Sequence, residues 1–319
     1  MSSDLSNDLT TAISQVGPSL IYEGPSLDSI NDTLRFSPNK LNTYDFCPQK
    51  AHYRYVENLM GPEEKPSEAL LRGLIIHKYL EYWVRDKQPP SVSFERVQKD
   101  FPTYEGQLIT YAVLTLMMRY CAVYKNDPQR YKILAVEQEL LVPFDTPKGR
   151  RVYLHGILDL VVEEISTGKL GLWDNKSDSR NKWSKEVVSF DRQLNQYAVM
   201  LMLMDYDPSF ITVNTIYTGY TKPESIATAP VEKLFARHTI QVTEARLKQW
   251  GKAIGMRIDQ ILEAEYVHMR LGDHCIWCPY RTACNMVLDG QDPTPYLKSN
   301  FGSREQKALD IIIDLGDFE

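Results

Sequence analysis

The chain has 319 residues, a net charge of −6 and an ordinary apolar share for a globular protein. Its length suits one large domain or two small ones. No stretch approaches the ~20 apolar residues needed to span a bilayer, and the N-terminus lacks the basic region and apolar run of a secretory signal. A cytoplasmic location with no membrane partner is the expectation.

The charge is unevenly spread. Residues 1–36 carry one Arg against five acids, and residues 285–319 carry three basic residues against seven acids. Each end is therefore at −4, and the body at about +2 neither favours nor excludes a polyanionic partner. Three parts are expected: a flexible acidic N-terminal arm over 1–36, one folded domain over 37–284, and an acidic C-terminal tail over 285–319.

Order should begin at Ser37-Pro38, an N-cap followed by Pro at the first helical position, with the helix running to Cys47. Residues 67–86 and 105–125 have apolar residues at helical spacing, the first with His77 in mid-helix and the second with Cys121 among core-like neighbours. The period then changes. ILAVEQELLVPF, RVYLHGILDLVVEE and KLGLWDNKS are rich in β-branched and aromatic residues and are separated by turn material, which predicts a three-stranded meander. Residues 191–206 return to helix, ITVNTIYTGYT reads as a fourth strand, and residues 241–270 predict a long helix. No G-x-x-x-x-G-K-[ST] loop is present, so no nucleotide-driven engine is visible.

The chemistry concentrates where the meander ends. Asp159 stands in one alternating run, and Asp174 and Lys176 form an Asp-x-Lys at the end of the next. Alternation puts Asp174 and Lys176 on one face of the strand, with Trp173 and Asn175 on the other. Two carboxylates on adjacent strands can share a hard cation such as Mg²⁺ or Mn²⁺, which prefers oxygen ligands; the Asn175 carbonyl can be a third ligand. The Lys176 ammonium can hold a phosphate or orient a water. Glu137, at the start of the strand region, can reach the site from the side or remain an exposed strand charge.

The order of His77 in G-L-I-I-H, Asp159 in G-I-L-D, D-N-K, then Gln193 and Tyr197 in Q-L-N-Q-Y resembles the PD-(D/E)XK nuclease superfamily in its RecB-like branch. The resemblance covers most of residues 37–284. It implies an α/β fold with a restriction-endonuclease-like core, a mixed central sheet of about four or five strands flanked by helices. It also implies His77, Asp159 and Asp174 as metal ligands, Lys176 as catalytic, and Gln193 and Tyr197 as supporting residues. The activity implied is a metal-dependent DNA exonuclease acting on single-stranded ends, with 5′→3′ polarity favoured, in repair, recombination or replication. The alternatives are an endonuclease or end-trimming subunit of a larger complex, in CRISPR adaptation or a helicase–nuclease, and a non-catalytic DNA-binding subunit.

Three cysteines cluster as C-x2-C-x5-C, at Cys275, Cys278 and Cys284, with Cys47 far upstream in D-F-C-P. Spacing alone allows zinc, with Cys47 or His274 as fourth ligand, or a four-cysteine iron–sulfur centre. The resemblance, which extends to CRISPR-associated exonucleases and the AddB nuclease domain, implies a 4Fe–4S cluster on Cys47, Cys275, Cys278 and Cys284, in a helical subdomain built from both ends of the domain. The connection after Lys176 holds Arg180, Lys182, Lys185 and Arg192 with Trp183 among them, which suits phosphate contact and base stacking on single-stranded DNA. The acidic tail offers a docking segment for a single-strand-binding protein or helicase. A viral origin would place the protein inside the infected host cell.

Overall fold

The computed structural model describes residues 32–60, 68–101, 106–179 and 182–303. Most of the expected arm, Arg180, and the tail beyond Ser303 lie outside them.

In chain order, β1 (Arg35–Phe36) leads into α1 (Pro38–Phe46), where the Ser37 hydroxyl accepts from the Lys40 N–H at 3.1 Å and Pro38 opens the helix. α2 (Pro48–Tyr55) and β2 (Leu59–Met60) follow. α3 (Glu68–Leu80) carries His77 and continues as a π-turn over Glu81–Arg85, a device frequent at functional sites. Then come α4 (Pro90–Asp100), α5 (Gly106–Val123) and the single turn α6 (Asp127–Arg130). The meander appears as β3 (Tyr131–Asp145), β4 (Arg151–Glu164) and β5 (Lys169–Asp178). α7 (Lys185–Phe190) and α8 (Arg192–Leu203) join β5 to β6 (Pro208–Tyr217). α9 (Pro223–Thr228), β7 (Phe235–Gln241), α10 (Glu244–Leu262), α11 (Arg281–Leu288), α12 (Thr294–Asn300) and β8 (Gly302–Ser303) complete the chain.

The fold is mixed α/β. The central sheet has the order β1-β4-β5-β6-β7, with β3 also pairing β4. It thus has six strands where four or five were expected; the additions are the two-residue β1 and β7, whose polar F-A-R-H-T-I-Q gives little alternation signal. β4 and β5 are antiparallel, β5 and β6 parallel, and β6 and β7 antiparallel. The parallel step requires a crossover, and α7–α8 supply it. α10 begins later and ends earlier than expected: the Thr243 hydroxyl accepts from the Arg246 N–H at 3.3 Å and caps it, and the helix stops at Leu262.

The chain divides into two compact units. Of the described residues, one comprises those within 68–140 and 156–251, and the other those within 32–60, 141–155 and 252–303. In the first, α3 and α5 pack Ile75, Ile76, Tyr79, Leu114 and Met117 to full burial together with Cys121. Each such side chain contributes about 1.5–3 kcal/mol of apolar burial. A second cluster, Leu160, Val162, Trp173 and Phe210, covers one face of the sheet. In the other unit, Tyr53, Tyr280, Ala283, Leu297 and Phe301 form a small core. Leu297 and Phe301 fall within the expected acidic C-terminal tail, whose residues up to Ser303 are folded here. Among the described residues no helix is long and apolar enough to cross a membrane.

Candidate active site

All the candidate catalytic residues belong to the first unit. Leu160 pairs with Trp173, so the antiparallel register sets Asp159 opposite Asp174. Asp159 Oδ2 accepts from the Asn175 backbone N–H at 2.7 Å. His77, from α3, has Nδ1 3.7 Å from that same oxygen and 3.2 Å from Glu137 Oε1. His77, Glu137 and Asp159 each offer a ligand atom within 4.8 Å of the others.

Glu137, weighed at sequence level as a peripheral contact, is therefore part of the cluster. Its backbone has φ +46°, in the left-handed region. A non-glycine residue there costs on the order of 1–3 kcal/mol and persists where its surroundings enforce it. The kink in β3 turns the carboxylate toward His77. A lone Glu in a strand sequence gives no sign of such a kink.

Asp174 is 1% exposed, and its Oδ1 has no hydrogen-bond partner among the described residues. Its one close partner is Lys176, whose Nζ stands 2.8 Å from Oδ2 as an ion pair. Lys176 also donates to Gln193 Oε1 at 2.9 Å, and Gln193 Nε2 donates to the Tyr197 hydroxyl at 3.2 Å. The one-turn spacing of Gln193 and Tyr197 on α8 thus produces a short relay ending on the lysine. Gly156 makes room for it. A Cβ there would lie 2.2 Å from Tyr197 Cε1, so any larger residue would push the ring, and with it Gln193, out of place.

The electrostatics follow from crowding. Burial and the neighbouring Asp174 charge hold the Asp159 carboxyl above the usual carboxylate range, although His77 opposes this. For His77, burial disfavours the charge, but the hydrogen bond that it donates to Glu137 and the charges of Asp159, Glu137 and Asp174 prevail and raise it from 6.5 to about 9. For Lys176, burial likewise opposes the charge and Asp174 more than restores it.

Both raised values act in one direction on stability. Each group holds its proton more tightly in the folded chain, so its contribution is complete below the unfolded pKa and is lost as pH rises through the folded one. For Asp159 that window starts in the carboxylate range, and for His77 it runs from 6.5 to about 9. The metal-free protein should consequently melt at progressively lower temperature between about pH 5 and pH 9. Thermal melts in a metal chelator check this, and a melting temperature that climbs over that range would contradict the assigned cluster.

The expected DNA-facing residues are only partly as read. Lys182 and Lys185 are exposed, and Arg192 is half-buried. Trp183 is a correction: it is 9% exposed, with Lys182 Nζ and Lys176 Nζ 5.8 and 6.0 Å from its ring, so it is packed rather than presented for base stacking. Polar neighbours in sequence suggested exposure, but the ring shields the lysine stems. Phe190, at the end of α7 and 76% exposed, is the aromatic that faces solvent in this connection.

In the second unit, Cys47, Cys275, Cys278 and Cys284 are free thiols that line one cavity with Phe46, Lys50 and Tyr280. Burial, followed by the charges of Cys278, Cys47 and Cys275, raises Cys284 to about 11. His274 Nε2 is 2.7 Å from the Arg270 carbonyl oxygen, and its ring packs edge-on against Phe46.

The sequence profile of the PD-(D/E)XK nuclease superfamily matches residues 35–285. The chain belongs to that superfamily. A PD-(D/E)XK nuclease hydrolyses phosphodiesters, binds DNA, and as a superfamily uses divalent metals; the His77, Glu137 and Asp159 cluster is a possible site for one here. A crystal structure from Eubacterium rectale, described as a candidate exonuclease, is similar at 17% identity and TM-score 0.43, covering 82% of this chain and 94% of that one. Comparison with curated proteins finds no match.

Proposed function

We propose that the cluster is a divalent-metal centre of a deoxyribonuclease that degrades single-stranded DNA from its ends. The observation that carries this is the convergence of His77, Glu137 and Asp159 beside the buried Asp174, with Lys176 as the ammonium paired to Asp174. Several carboxylates crowded together out of water are costly, and a divalent cation would offset their charge. Three carboxylates and one imidazole fit Mg²⁺ or Mn²⁺. His77, Glu137, Asp159 and Asp174 would hold the ion, with the Asn175 carbonyl available as a further donor. When bound, it supplies an activated water and neutralises charge at the phosphate. Lys176, poised between Asp174 and Gln193, holds a phosphate oxygen or aligns the attacking water. Gln193 and Tyr197 fix where that ammonium points.

Lys182, Lys185 and Arg192 are the contacts proposed for the DNA backbone, and Phe190 for a base. Digestion is proposed to run 5′→3′, in repair, recombination or replication. The test is digestion of end-labelled linear and circular single strands with Mg²⁺ or Mn²⁺. Release of short products from linear strands alone is expected. Cleavage of circles would instead support an endonuclease, and no cleavage of either a non-catalytic binding subunit.

The four cysteines of the second unit are proposed to hold a 4Fe–4S cluster. All four line one cavity, as a four-thiolate set requires.

A further inference from the structure

The face of the sheet opposite the carboxylates carries a buried polar row that ends on the middle residue of the Asp-x-Lys triplet. Asn175 of β5 pairs with Asn214 of β6, and Asn214 with Arg237 of β7. Their side chains join across the three strands. Asn214 Nδ2 donates to Asn175 Oδ1 at 3.1 Å, and Arg237 Nε donates to Asn214 Oδ1 at 2.6 Å. Arg237 then donates in bidentate fashion to Asp127, at 3.0 and 2.7 Å. Its guanidinium lies 4.4 Å from the Trp173 ring centre and 4.1 Å from that of Tyr124. Asn175 and Asn214 are 2% and 1% exposed.

Apolar side chains of similar volume commonly make as stable a sheet as a buried charged row. What the row adds is direction. Asn175 is held from one side by this ladder, and from the other its backbone N–H donates to Asp159. Rotation of the strand about Asn175 would move that N–H, and with it Asp174 and Lys176 on either side. We infer that Asn214 and Arg237, anchored by Asp127, are positioning residues that set the orientation of the catalytic strand through Asn175. This rests on the proposed metal centre and adds a support for it on the far face of the sheet. Arginine suits this place because three separate nitrogens of one planar group serve Asn214 and both oxygens of Asp127, a spread that the compact ammonium of a lysine does not reproduce.

The test compares Asn214→Leu, which removes both lateral bonds at similar volume, with Arg237→Lys, which keeps the charge beside Asp127. In folded protein each should lower kcat for single-stranded DNA and weaken Mn²⁺ binding, measured by calorimetry, by about 10- to 100-fold, as loss of such supports does elsewhere. KM for DNA should hold. Hydrogen exchange at the Asn175 amide, followed without metal, should quicken in both variants. Asn214→Asp, which still accepts from Arg237 but cannot donate to Asn175, should behave like Asn214→Leu. If at least one variant folds and kcat, Mn²⁺ affinity and Asn175 exchange match wild type, the inference is overturned and the row is merely structural. If wild type itself neither binds Mn²⁺ nor cleaves, the metal-centre reading has failed instead.

Discussion

Asp174→Asn is expected to eliminate metal-dependent cleavage while leaving the metal-free fold intact. The carboxylate is 1% exposed, and an amide of the same shape fits its place. What the substitution removes is charge. A metal ligand is lost, and Lys176 loses its partner at 2.8 Å but keeps Gln193 at 2.9 Å. Lys176→Met should lower kcat by roughly 10²–10³-fold, the scale on which a single preorganised electrostatic contact acts. Both variants should still bind single-stranded DNA, because the contacts proposed for Lys182, Lys185 and Arg192 are untouched. Asp174→Asn has a second signature. Without the Asp174 charge, Asp159 loses the main electrostatic cause of its raised pKa, so the fall in metal-free stability with rising pH should become shallower. Full magnesium-dependent activity in Asp174→Asn would sink the mechanism.

The second large effect concerns the cysteines. Anaerobically purified protein is expected to be brown, with broad absorption near ~400 nm from thiolate-bound iron and sulfide. Cys47→Ser should lose iron and melt at much lower temperature. The physical reason is chain entropy. Cys47 and Cys275 are about 230 positions apart, and a cross-link over a loop of that size restrains the unfolded chain by about 5 kcal/mol. The small core of Tyr53, Tyr280, Ala283, Leu297 and Phe301 that accompanies the cysteines offers limited apolar burial to offset the loss. A colourless protein with one zinc per chain would replace the cluster by a zinc site.

Much of the site was legible because its signals are local. Alternation placed Asp174 and Lys176 on one strand face, and a four-residue spacing put Gln193 and Tyr197 on one side of α8. Ser37 and Pro38 marked a helix start that the hydrogen bond from Lys40 bears out. These depend on periods of two and 3.6 residues, which side-chain pattern alone carries. Membership of the PD-(D/E)XK superfamily could be read from the same motifs in order.

The rest depends on which strands pair and in what register, which no local pattern encodes. Glu137 joins the cluster through a left-handed backbone position, Trp183 is buried beside the Lys176 and Lys182 ammonium groups, and β7 takes its place beside β6 on a weakly patterned segment. The pairing of Asn175 with Asn214 and of Asn214 with Arg237 is the clearest case, since residues more than sixty positions apart become one hydrogen-bonded row. The sequence by itself determined the superfamily and the candidate catalytic residues, because those are a choice of residue types at short spacing. Only the tertiary structure decided what surrounds and aims those residues, because register is set by side chains packing across strands that are distant in the chain.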